Sequence, residues 1–60
     1  MNDELKDQLQ EFVNMCEAAH TSAWELVDAA PTKATREWAV SIMRNITNLA
    51  VHAMEEKNNV

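Results

Sequence analysis

Pro31, the single proline, stands just past the middle of a 60-residue chain that contains no glycine. A proline has no N–H to donate, and its ring disfavours helical geometry at the residue before it, here Ala30. A helix running toward it must therefore stop. Proline is accepted in the first turn of a new helix, so Pro31 or Thr32 opens the second one. Thr32 and Thr35 both qualify as its cap, and Asn2 caps the first helix, with Asp3 and Glu4 well placed in its first turn. The lack of glycine and tyrosine, beside abundant Ala, Glu, Asn and Met, favours helix over sheet in both arms. The expected architecture is all-α and a single domain over 1–60. It has a helix over about 3–29, a corner at about 30–32 and a helix over about 33–57, with "EEKNNV" as a polar, fraying end.

A short corner between two long helices folds them into an antiparallel hairpin. In the first arm, apolar or small residues recur at Leu5, Leu9, Phe12, Cys16, Ala19, Ala23, Leu26 and Ala30, widened by Val13 and Val27. Steps of four and three mark the seam of a helix pair. Thr21 and Ser22, weak helix formers, are expected to face solvent. The second arm repeats the pattern at Ala39, Ile42, Ile46, Leu49 and Ala53, broadened by Trp38, Met43, Ala50 and Met54. Folding about the corner puts Trp24 level with Trp38, Cys16 near Ile46 and Leu9 near Ala53. One hairpin leaves half of each stripe wet, which predicts self-association into a helical bundle, most simply a dimeric four-helix bundle.

Size leads the same way. A domain this small is marginal alone and needs a staple, a metal, good helix packing or oligomerisation. The one cysteine, Cys16, excludes an internal disulfide, and Cys16, His20 and His52 do not have the spacing of a closed zinc site. No apolar run reaches the roughly 20 residues needed to cross a bilayer, and the acidic start is unlike a secretory signal. These features describe a soluble intracellular protein with a reduced thiol. The net charge of −5 is uneven: residues 1–30 hold seven carboxylates against Lys6, whereas residues 31–60 are close to balanced. Long nucleic acid is a poor partner for such a chain. A small anion at the less acidic corner is compatible with it.

Catalytic motifs are missing: there is no glycine-rich phosphate loop and no nucleophile elbow. Glu17 and His20 form half of a Glu-x-x-His bundle site, but the second helix offers no carboxylate at matching depth, so no metal or other cofactor is expected. Cys16 reads as a small buried hydrophobe, and His20 and His52 as boundary residues. The candidate ligand-binding set is Thr32, Lys33, Thr35, Arg36, Trp38 and Trp24. Basic side chains and free backbone N–H groups at a helix start favour an anion, and an indole face suits a nucleobase. Solvated charges and tryptophans packing the open end of the hairpin would explain the same residues without a ligand.

The run "AWELVDAAP", which ends at Pro31, is followed by Arg36, "WAVS" (Trp38 to Ser41), Met43, Leu49, Ala50, Ala53 and Met54. In this spacing the chain resembles the helical hairpin domain of small phage proteins that sequester nucleotide immune signals, the anti-CBASS and anti-Thoeris sponges. Leu49 stands where members often carry an aromatic, and Arg44–Asn45 where they are more acidic. The resemblance implies a homo-oligomer in the host cytoplasm, not an enzyme, that binds a cyclic nucleotide or related signal at sites between hairpins. Arg36 falls where the family carries a basic residue. The rival expectation is a dimeric acidic hairpin that binds a host protein as adaptor or inhibitor, with its exposed half-stripe accepting a partner helix.

Overall fold

The structure, a computed structural model, describes residues 3–60. Two helices of 27 residues, α1 (Asp3–Ala29) and α2 (Lys33–Asn59), fold back against each other as an antiparallel hairpin. Each is roughly 40 Å long at 1.5 Å per residue, and the molecule measures 49 × 14 × 9 Å. The expected Asn2 cap of α1 lies outside the described residues. Asp3 and Glu4 occupy the first turn of α1, where carboxylates are favoured by the helix dipole. The polar C-terminal stretch is helical as far as Asn59.

The corner is built from Ala30, Pro31 and Thr32. The Ala30 N–H donates to the Val27 carbonyl at 3.4 Å and closes the last turn of α1. Thr32 has extended backbone angles (φ −133°, ψ 159°) and is the N-cap of α2. Its carbonyl accepts the first helical bond, from the Arg36 N–H at 3.1 Å. This decides between the two threonines and moves the proline: Pro31 precedes the cap and lies outside α2 rather than in its first turn. Thr35 supports the cap from inside the helix.

The seam differs from the expected one in α1. Val13, Cys16 and Ala23 are buried, and Leu9, His20, Val27 and Ala30 are half-buried, whereas Leu5, Phe12, Ala19 and Leu26 are exposed. In α2, Ala39 and Ala53 are buried, Ile42, Met43, Ile46 and Ala50 are half-buried, and Leu49, Trp38 and Met54 are exposed. Both helices thus turn small residues inward. Ala23 and Ala39, near the corner, let the two backbones approach closely, and the bulkier Phe12, Leu26 and Leu49 stay outside. His20, expected at the edge of the stripe, belongs to the seam. Mid-helix hydroxyls bond back to the preceding turn: Thr21 to the Glu17 carbonyl at 3.2 Å and Thr47 to the Met43 carbonyl at 3.0 Å. Thr21 and Ser22 are exposed.

Among the described residues no large side chain is fully buried. A fully buried Leu or Phe contributes about 1.5–3 kcal/mol, so this two-helix core lacks the usual source of stability. The dimensions agree. The accessible surface is 4669 Å², where a compact monomer of 6.8 kDa would expose about 4,000 Å². The radius of gyration is 14.1 Å, against about 10 Å for a compact 60-residue domain.

The hairpin has two flanks, one on either side of the seam. Phe12, Met15, Ala19 and Leu49 line a groove of about 270 Å³ on one flank, with Cys16 and Ile46 at its floor. Glu17, His20, Thr47, Ala50, Val51 and Met54 line a groove of about 240 Å³ on the other, above the same Cys16 and Ile46. Residues 7, 11 or 18 apart return to nearly the same helical direction. Leu5, Leu26 and Trp38 therefore fall on the Phe12 flank, and Trp24, Met43 and Arg36 on the Met54 flank. No helix of the described residues is long and apolar enough to cross a membrane.

Candidate functional site

The first three turns of α2 carry Lys33, Arg36 and Arg44 around an open concavity of about 370 Å³, with Glu37, Val40 and Ser41 completing its lining. All six residues belong to α2. Lys33 Nζ lies 3.9 Å from Glu37 Oε1, with both side chains mostly in water. Among the described residues, neither Arg36 nor Arg44 has an ion-pair partner. Three cations thus face one carboxylate, on a chain whose net charge is −5.

This placement opposes local electrostatics. The start of a helix is its positive end, and acidic residues are stabilised there. The first turn of α2 has no acid and carries Lys33 and Arg36 instead. Each misplaced cation costs about 0.3–1 kcal/mol at an exposed helix end. The Lys33–Glu37 pair also has the weaker of the two orientations, with the base N-terminal to the acid. A bound anion would reverse the balance, since guanidinium groups hold phosphate or carboxylate in a bidentate grip.

The six sequence candidates are distributed unequally around this concavity. Lys33 and Arg36 line it. Thr32 and Thr35 adjoin it but are committed to the cap. Thr32 Oγ1 accepts the Thr35 N–H at 3.1 Å, and the two hydroxyls lie 2.9 Å apart. Trp24 and Trp38 are both more than half exposed, on opposite flanks. Cys16 and Ile46 are level, since both floor the same two grooves. Eight residues up α1 from Cys16 and ten back along α2 from Ile46 bring Trp24 and Arg36 to within about 3 Å of the same height. Trp24 therefore shares height and flank with Arg36, and Trp38 shares only the height. Arg44 completes the cationic lining and was missed by sequence reasoning. Its signal was the spacing of 11 from Lys33 and 8 from Arg36, which keeps all three on one side of the helix.

The other residues of interest have structural surroundings. Glu17 and His20 stand in the Met54-flank groove among Ala50, Val51 and Met54, and among the described residues no three His, Cys, Asp or Glu side chains converge. His52 Nε2 lies 3.6 Å from Glu56 Oε1, one turn along α2. The Ser41 hydroxyl donates to the Trp38 carbonyl at 3.0 Å, so the one hydroxyl lining the concavity is bound to backbone. Comparison with known proteins returned no matching family model, no similar curated protein and no similar solved structure.

Proposed function

We propose that this chain is a small non-enzymatic binding protein that self-associates and sequesters a cyclic nucleotide or a related nucleotide signal. The observation that carries the reading is the cluster of Lys33, Arg36 and Arg44 around one concavity, with Lys33 and Arg36 in the first turn of α2, where a cation is electrostatically unfavourable. Folding gains nothing from cations there, and a local rule broken without a structural return marks a functional position. The two arginines grip phosphate oxygens, Lys33 adds a third charge, and Trp24 offers a base its indole face from the Arg36 flank. Trp38 reaches such a ligand only from another copy. Sequestration succeeds through affinity and abundance, so the concavity needs no nucleophile or general base. Desolvating a charged nucleotide is offset by charge-assisted hydrogen bonds and stacking. The ligand class is the one the resemblance to the phage sponges suggests.

Calorimetric titration with cyclic di- and trinucleotides and cyclic ADP-ribose isomers tests the reading. Saturable heat with one of them, lost in Arg36→Ala, supports it. No heat and no thermal shift with any of them ends it. The second reading, an adaptor or inhibitor that binds a host protein, is favoured by the acidic α1 and by the large apolar side chains left in water, Phe12, Leu26, Trp38 and Leu49 among them. Stoichiometric recovery of one basic protein on immobilised hairpin, undiminished by Arg36→Ala, would favour it over the first.

A further inference from the structure

The six residues of the cationic concavity form two parallel rows on α2, because side chains four apart stack along one ridge of a helix. One ridge is Lys33, Glu37 and Ser41, and the other is Arg36, Val40 and Arg44. The first ridge satisfies its own polar groups. Lys33 Nζ lies 3.9 Å from Glu37 Oε1, and the Ser41 hydroxyl donates to the Trp38 carbonyl. The second ridge does not. Arg36 and Arg44 are exposed and, among the described residues, without an ion-pair partner. Val40, midway between them, is half-buried.

We propose that the Arg36–Val40–Arg44 ridge recognises two anionic groups held apart by an uncharged segment, so that the ligand carries two separated phosphates rather than a lone phosphate or a pyrophosphate. The inference rests on the nucleotide reading above and narrows its ligand class. Arg36 and Arg44 stand eight residues, about 12 Å, apart along the helix axis. At physiological ionic strength exposed charges are screened over about 8 Å, so a single phosphate on Arg36 gains little from Arg44. Both charges are used only by a ligand with an anion at each end. Glu37 and Val40 lie between the two arginines along the axis. A row of adjacent phosphates would bring its charge against the Glu37 carboxylate and the Val40 methyl groups. A ribose or a base laid there instead covers Val40 and the aliphatic stems of the arginines. The volume agrees. The concavity holds about 370 Å³, within the roughly 300–1,000 Å³ of small-molecule sites, and is far larger than one phosphate requires. Once one phosphate is held, the second binds as an intramolecular event, which raises affinity by about 10²–10⁴ when the spacing fits.

Calorimetry with matched pairs of probes tests this: cyclic di-AMP against cyclic AMP, cyclic di-GMP against cyclic GMP, and, without any base, the bisphosphate of hexanediol against pyrophosphate. In each pair that binds, the probe with two separated phosphates should bind at least tenfold more tightly. Arg36→Ala and Arg44→Ala should each erase that advantage, with helicity by circular dichroism unchanged. Lys6→Ala, which removes a cation from α1, should leave it intact and so exclude a general effect of charge. Equal affinity within the pairs, or an advantage that survives Arg44→Ala, overturns the two-anion proposal, and the nucleotide reading still stands if a cyclic nucleotide binds. Binding of the hexanediol bisphosphate, sensitive to both arginines, where none of the cyclic nucleotides binds supports the two-anion ridge and ends the nucleotide reading. No heat with any probe overturns both.

Discussion

Thr32 holds Thr35 by two bonds: its Oγ1 accepts the Thr35 backbone N–H at 3.1 Å and meets the Thr35 hydroxyl at 2.9 Å. The pair fixes where α2 begins and thereby sets the positions of Lys33, Arg36 and Arg44 relative to α1. Thr32→Ala should lower stability by about 1 kcal/mol. That is a fall of roughly 4–8 °C in melting temperature for a domain of this size, read by circular dichroism at fixed protomer concentration. Thr32→Ser and Thr32→Asp should retain the wild-type value.

Ala39 is fully covered and Ala23 nearly so, which makes the corner end of the seam the place least tolerant of added volume. Ala39→Leu should destabilise by about 1–3 kcal/mol through overpacking, measured as a lower urea midpoint. Ala34→Leu, at an exposed position in the first turn of α2, should stay within about 0.5 kcal/mol of the wild type.

Arg36→Glu should separate folding from binding. Placing an acid in the first turn removes one misplaced cation and adds a favourable charge, so stability should rise by up to about 1 kcal/mol at low salt. Nucleotide affinity should fall at least tenfold in calorimetry. A loss of stability would mean that Arg36 makes a contact needed by the fold.

The Lys57 ammonium donates to Gln10 Oε1 and joins α2 to α1 at the open end of the hairpin. Gln10→Ala should speed amide hydrogen exchange in the last turns of α2 without a large change in global melting temperature, because exposed polar links are worth little to overall stability. Uniformly faster exchange across both helices would contradict a local role.

The hairpin was legible because Pro31 interrupts a glycine-free chain at its middle and both arms carry steps of four and three. The choice of seam was harder to read. Phe12, Ala19 and Leu26 have the same spacing as Val13, His20 and Val27, and hydrophobicity favours the first set. Close approach of two backbones favours small residues at the contact, so the helices turn toward Val13, Cys16 and Ala23, and the larger side chains stay exposed. Lys33 and Arg36 were visible as charges in the first turn of a helix. Arg44 does not join the candidate set from the sequence because it lies beyond that turn, where only its spacing ties it to them. The tryptophans were placed at the right height, but a reading by height alone does not separate flanks. The step of 18 residues from Arg36 to Met54 makes five turns, and this count puts Trp24, and not Trp38, on the same flank as the arginine.

Sequestration without turnover is tested by recovery of the ligand. The protein is incubated with the nucleotide that titration identifies, the free pool is measured by filtration, and the protein is then denatured and the extract analysed by chromatography with mass detection. Binding by Lys33, Arg36 and Arg44 predicts that the free pool falls in proportion to added protein and that denaturation returns all of it chemically unchanged. A pool that stays depleted after denaturation, with a cleaved product in its place, would show the chain to be an enzyme and contradict the proposed function.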